Sequence, residues 1–348
     1  MKISKVFLFS FLFFIFYLIL AIFYSYNLKI GDIYVTTYDE ARYYYASSDI
    51  VSDYYSGNYK ALFSNYYKYS QSIHFMHYYV LAFFRIVFNE SFLAWLIFQI
   101  SCYILACIYF SKIFTLYGYN KNYEIFSFIL LAINAPLLFY VFSLMRDIQI
   151  FLLMTLCIFF YKKNYILPLV IFFAILLTYR INAAFSIVIY VLCDYFIQIK
   201  QNIKFKFSYV LYVILVIFII ILFNEFSNGS MQNLFYNKLE NVKLNNFLFD
   251  SIKLIFSPLP WSLDNSLPSY LKVWYVNSFI FTIILFVCLI GKNYKDIIPL
   301  PLVVLVLFNI LVYSTEAGVG IRQSVMLLPW LVIPSVLYVI KFYNEKNS

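Results

Sequence analysis

Apolar stretches of about twenty residues recur along the whole chain, and a helix of about that length is what crosses the hydrocarbon core of a bilayer, about 30 Å thick. Inside lipid no water is left to bond the backbone, so each stretch must satisfy its own N–H and C=O groups as a helix. Spans read at about 6–27, 93–111, 125–144, 148–161, 165–179, 183–199, 207–223, 273–290, 297–314 and 324–340. The fold class that follows is an all-α polytopic integral membrane protein of about ten transmembrane helices, one membrane domain over residues 1–348. Composition agrees: 64% of the residues are hydrophobic and 12% charged, against roughly 45–50% and 25% in soluble domains. The first stretch follows Lys2 and Lys5 but has no small-residue cleavage site after Tyr24, so it reads as a retained helix, not a signal peptide.

The net charge of +9 does not point to nucleic acid, because the basic residues sit in pairs between apolar runs instead of lining one face. Topology accounts for them. With Lys2 and Lys5 inside, the short loops holding Lys112 and Lys121, Lys162 and Lys163, Lys200 to Lys206, and Lys292 and Lys295 also fall inside, as does the tail with Lys341 and Lys346. Both termini are then cytoplasmic. The scheme requires the apolar segment 74–90 to lie on or re-enter the outer leaflet without crossing. It also leaves two long outer loops, about 28–92 and 224–272, and loops of that length are usually functional or disordered. The cysteines, Cys102, Cys107, Cys157, Cys193 and Cys288, all fall inside apolar runs and read as small buried hydrophobes.

The arginines divide from the lysines. Arg42, Arg85, Arg146, Arg180 and Arg322 all fall on the outer side, and arginine is the bidentate binder of phosphate and carboxylate. A joint role in holding an anionic ligand follows; the bland alternative is that some merely pair with nearby acids. The first outer loop opens with Tyr38-Asp39-Glu40-Ala41-Arg42-Tyr43-Tyr44. Adjacent carboxylates can serve as a general base or as metal ligands, although on a helix they point about 100° apart and only one would be central. The alternative is a solvated amphipathic helix with Glu40 and Arg42 exposed.

Arg146-Asp147 stands at the outer mouth between two spans, after Asn134, Pro136 and Ser143, where the proline can kink the approach. The pair is either a ligand site or a local salt bridge fixing the hairpin. Arg180 occupies the matching end of the next hairpin. Trp261, after Ser257-Pro258-Leu259-Pro260, reads foremost as an interfacial anchor. Glu316 and Arg322 flank Gly318 and Gly320 before a last span that contains Pro329 and Pro334, a place for backbone to approach a ligand. His74 and His77 share a helical face but lack two further ligands, so a zinc site is the weaker reading.

This order of features resembles polytopic proteins of surface-polysaccharide gene clusters, namely the GT-C membrane glycosyltransferases and the O-antigen or capsule repeat-unit polymerases. The resemblance covers most of the chain in topology, through short motifs. It implies a GT-C-like fold in a bacterial inner membrane and an enzyme that transfers sugar from a polyprenyl-linked donor at the outer face. Asp39 and Glu40 match the acidic position of the first outer loop in the GT-C family, which acts at the acceptor or metal site. Arg146, Arg180 and Arg322 match polymerase arginines that grip an anionic lipid-linked glycan; Arg42, Asp147, Trp261 and Glu316 complete the expected substrate set. The implied partners are a polyprenyl-(pyro)phosphate-linked oligosaccharide, the bilayer and other polysaccharide-assembly proteins, with no nucleic acid. The resemblance implies no definite cofactor, and a divalent metal stays open. The chain is shorter than a typical GT-C enzyme and its second outer loop is long, which favours the polymerase; a single-sugar GT-C transferase is the alternative, and a flippase the alternative of another class.

Overall fold

The computed structural model describes residues 5–25, 28–32, 38–60, 75–200, 221, 299–314 and 321–347. In chain order the helices are α1 (Lys5–Ser25), α2 (Tyr38–Tyr55), α3 (Met76–Val87), α4 (Phe92–Leu116), α5 (Lys121–Ala132), α6 (Ala135–Val141), α7 (Asp147–Lys162), α8 (Ile166–Tyr179), α9 (Ile181–Lys200), α10 (Leu300–Ser314) and α11 (Ile321–Asn347). Among the described residues there is no strand; the only extended pairing is an isolated bridge between Lys29 and Ser91. Among the described residues three helices, α1, α4 and the Ile181–Gln198 part of α9, are long and apolar enough to cross a membrane. The expected spans at 207–223 and 273–290 and the loop 224–272 lie outside the described residues, Ile221 apart.

The bundle is built around α4. This helix is apolar on every side, which is the pattern of a helix enclosed by others, and it packs against α1, α5 and α7. Trp95, Tyr103, Phe110 and Phe114 along it are fully buried. Trp330 of α11 closes the opposite flank, its ring 4.5 Å from that of Phe110 and 5.9 Å from that of Phe151 on α7. By contrast α1 turns Phe7, Phe11, Phe16 and Phe23 outward, the last 83% exposed. A soluble protein rarely presents so continuous an apolar face, whereas lipid accepts it.

The span expected at 125–144 is a correction: it is two short helices, α5 and α6, separated at Ile133 and Asn134. The residues give the reason. Asn134 accepts the Leu137 N–H on its Oδ1 at 3.1 Å and so caps α6, whose first turn carries a proline, a residue with no N–H to continue the preceding helix. The break leaves the last carbonyls of α5 without helical partners inside an apolar bundle. Leu131 O accepts the Asn134 N–H at 3.0 Å, and two tyrosines complete the end: Tyr17 of α1 donates to Ala132 O at 2.6 Å, and Tyr103 of α4 donates to Leu131 O and, at 3.2 Å, to Ala132 O.

Helix α3 has 12 residues, a rise of about 18 Å, well short of a hydrocarbon core. It packs on α2, and Arg85 fastens the two. Its Nη1 donates to Ser47 Oγ at 2.8 Å, Ser48 Oγ at 2.7 Å and Tyr44 O at 3.1 Å, while Nε and Nη2 reach Glu90 Oε1 at 3.2 and 2.7 Å. The guanidinium also lies 4.4 Å from the centre of the Tyr44 ring. Arg85 therefore departs from the expected set of ligand-binding arginines, because its donors are engaged within the protein.

Candidate functional site

Between α6 and α7 the chain runs through Phe142–Arg146 without helical form, and Ser143, Leu144 and Met145 are buried. Irregular backbone at such a place must be satisfied by protein or line a polar cavity. Here four side chains from three helices do it. Glu40 of α2 accepts the Leu144 N–H on Oε1 at 3.0 Å. His77 Nε2 of α3 bonds Leu144 O at 2.9 Å, which makes that nitrogen the protonated donor. On α4, Trp95 Nε1 donates to Ser143 O at 2.9 Å and, one turn on, Gln99 Nε2 donates to Met145 O at 2.8 Å.

This held segment delivers Arg146 and Asp147 to the start of α7. Arg146 stands directly before the helix, with its guanidinium 5.6 Å from the centre of the Tyr43 ring, a cation–π approach. Asp147 is completely buried in the first turn, where the helix dipole favours a carboxylate. Arg180 reaches it from the α8–α9 junction, Nη1 to Oδ1 at 3.6 Å. That junction is built by Arg180 itself, whose extended backbone ends α8 while its carbonyl accepts the Ala184 N–H in the first turn of α9. Two hairpin turns far apart in sequence thus bring Arg146, Asp147 and Arg180 to one place.

Glu40, 3% exposed, joins them through Leu144, and the expected alternative of a solvated Glu40 is corrected: its carboxylate is the acceptor for a buried N–H. Arg42, two residues on, is exposed. Asp39 belongs to α2 and Arg322 to α11, but their side chains lie outside the described set, and Trp261 and Glu316 lie outside the described residues altogether. So does His74, while its expected companion His77 is fully buried among the rings of Tyr43, Trp95 and Tyr179.

The set of two arginines and two carboxylates sums to zero formal charge, with Glu40, Asp147 and Arg180 buried and Arg146 half-buried. Its hydrogen-bonding capacity is less complete. Nε and Nη1 of Arg146, both amide atoms of Gln149 and Oε1 of Gln99 are buried with no hydrogen-bond partner among the described residues. Among the described residues no three His, Cys, Asp or Glu side chains gather as a metal site. The buried carboxylates Glu40 and Asp147 are engaged by a backbone N–H and by arginine respectively.

Sequence reasoning weighed the charges and missed Gln99, Gln149 and Trp95. Two of these carried a readable signal: a glutamine within an apolar span is a buried polar group that needs a partner. A second polar group was also missed, at the other end of α7. Lys162 Nζ pairs with Asp194 Oδ1 of α9 at 2.7 Å, and Tyr161 and Gln198 donate to Asp194 Oδ2 at 3.1 and 2.7 Å. Lys162, expected as a loop charge, is a member of this half-enclosed pair. Compared with known protein families, characterised proteins and solved structures, the chain finds no match.

Proposed function

We propose that the chain is a membrane glycosyltransferase acting on polyprenyl-linked glycans at the outer face of a bacterial inner membrane, and that it joins repeat units of an O-antigen or capsule. In this reading the protein is GT-C-like, with about ten spans and both termini cytoplasmic. The observation that carries it is the buried Asp147–Arg180 pair with the half-buried Arg146 directly before it in the chain, two of whose guanidinium nitrogens are enclosed and unused among the described residues. Arginine donors enclosed with apolar surroundings suit an anionic oxygen such as that of a pyrophosphate.

The chemistry follows from those groups. An acceptor sugar hydroxyl attacks the anomeric carbon, the bond from that carbon to the pyrophosphate oxygen breaks, and the hydroxyl proton passes to Asp39 or Glu40. A proton arriving at Glu40 leaves the four-residue set positive by one as the leaving group gains its charge. Arg146 and Arg180 stabilise that group, and Arg322 is assigned beside them from its position before the last span. Arg42, Trp261 and Glu316 are assigned to the glycan and its lipid from the outer segments that hold them. The partners are the polyprenyl-(pyro)phosphate-linked oligosaccharide, the bilayer and other polysaccharide-assembly proteins.

A single-sugar transferase using a polyprenyl-phosphate donor is the second reading, favoured by the acidic opening of α2. Deleting and restoring the gene, then separating surface polysaccharide on a gel, distinguishes them. Collapse of the ladder to a single repeat supports the polymerase. A full ladder lacking one sugar supports the single-sugar transferase, and loss of all repeat-bearing material supports a flippase.

A further inference from the structure

The donors and acceptors that the first turn of α7 leaves unused form a pattern, and it differs from what an inorganic anion needs. Arg146 and Gln149 are three residues apart and so share one face of the helix. Gln149 is 3% exposed, and neither its Nε2 nor its Oε1 has a partner among the described residues. Gln99 is fully buried; its Nε2 is fixed on Met145 O, the residue before Arg146, which leaves its Oε1 as the unused atom. Leaving a buried polar atom unpaired costs about 1–3 kcal/mol, so four such atoms on Arg146 and Gln149 and a fifth on Gln99 of α4, which is bonded to Met145 O, call for water or a ligand.

The chemical sense of the five atoms narrows that ligand. Nε and Nη1 of Arg146 and Nε2 of Gln149 donate, whereas Oε1 of Gln149 and Oε1 of Gln99 accept. A phosphate or pyrophosphate oxygen satisfies the donors and repels the two carbonyl oxygens. A lipid tail satisfies none of them. A ligand that carries anionic oxygens and O–H or N–H donors side by side satisfies all five, and a glycosyl phosphate is built that way. We infer that Arg146, Gln149 and Gln99 form a subsite for the sugar nearest the phosphate: the anion lies on Arg146, and hydroxyl or acetamido groups of that sugar bond the two glutamine amides.

This rests on the proposed glycan-transfer reading and adds to it residues that select the sugar rather than the charge. The test compares Gln149→Met, Gln99→Met and Arg146→Ala in full-length protein expressed in the deletion strain. Three readouts are polysaccharide chain length, protein level in the membrane, and thermal unfolding of the purified protein in detergent. Methionine keeps the length of the glutamine side chain without its polar atoms, and at Gln149, where neither amide atom has a partner among the described residues, removing them is neutral or stabilising.

The expected result is that Gln149→Met unfolds no earlier than wild type, that Gln99→Met unfolds earlier because it also gives up the bond to Met145 O, and that each makes about ten-fold less polymer per molecule of folded protein, the effect of about one lost hydrogen bond to the ligand. Wild-type polymer from both methionine variants, with Arg146→Ala inactive, overturns the subsite and leaves the transfer reading standing; a trapped water gives this outcome too. Wild-type polymer from Arg146→Ala overturns the transfer reading itself, and the subsite with it. Should a methionine variant fail to accumulate, Gln149→Glu decides, since it keeps the acceptor, removes the donors and sets a carboxylate against the anion: polymer is lost if the subsite holds and retained if it does not.

Discussion

Glu40 and Leu144 are 104 residues apart in the chain, yet the carboxylate of one accepts the backbone N–H of the other at 3.0 Å, inside the protein. The bond joins α2 to the turn that aims Arg146 and Asp147. Position and chemistry are therefore linked in one residue: the glutamate fixes the turn and, with Asp39, is one of the two carboxylates proposed as the base.

The two roles separate by substitution. Glu40→Gln keeps an oxygen for the Leu144 N–H but cannot take a proton at neutral pH, so unfolding temperature is expected to stay close to wild type while polymer disappears. Glu40→Ala orphans a buried N–H and is expected to lower stability by about 1–3 kcal/mol. Thermal unfolding and polymer analysis of the same two variants check this; full polymer in Glu40→Gln removes the base role.

Asp147 and Arg180 form a buried pair, and losing one partner strands the other. Asp147→Leu alone is expected to destabilise the protein by about 3–5 kcal/mol. Adding Arg180→Met to it restores most of that stability and no activity, because an apolar pair tolerates burial but holds no anion. A double variant as unstable as the single one contradicts the pairing.

The Lys162–Asp194 pair at the far end of α7 belongs to the fold. Asp194→Asn is expected to unfold earlier, with polymer per molecule of folded protein unchanged. Chain-length analysis normalised to membrane protein level checks this, and a shortened ladder at equal protein level transfers the residue to function.

The tyrosines that close the end of α5 make a smaller claim. Tyr17→Phe and Tyr103→Phe each remove a hydroxyl from a buried carbonyl, and in membrane bundles such bonds average about 0.6 kcal/mol. Each variant is expected to lose about that much in unfolding measurements, with the double variant losing more than either one.

Helix positions were largely legible where apolar runs were uninterrupted: residues 6–27, 93–111 and 165–179 of the reading coincide closely with α1, α4 and α8. The reading failed at 125–144, where Asn134 caps a new helix inside an apolar run, because hydropathy cannot see a cap that tertiary tyrosines then compensate. For the site, the charges of Arg146, Asp147 and Arg180 were conspicuous against lipid, and the structure brings them together. Arg85 looked the same by type and place, but its partners Ser47, Ser48 and Glu90 depend on how α2 meets α3. Gln99 and Gln149 were passed over since an uncharged amide barely alters the hydropathy of a span.

The most direct measurement is the polysaccharide ladder of a strain whose only copy carries Arg146→Ala, set beside Arg146→Lys, at matched protein levels in the membrane. The account predicts that the alanine variant leaves a single lipid-linked repeat unextended, and that lysine, which keeps the charge but not the fork of donors, restores only short chains. A wild-type ladder from Arg146→Ala would contradict the claim that this arginine holds the leaving group.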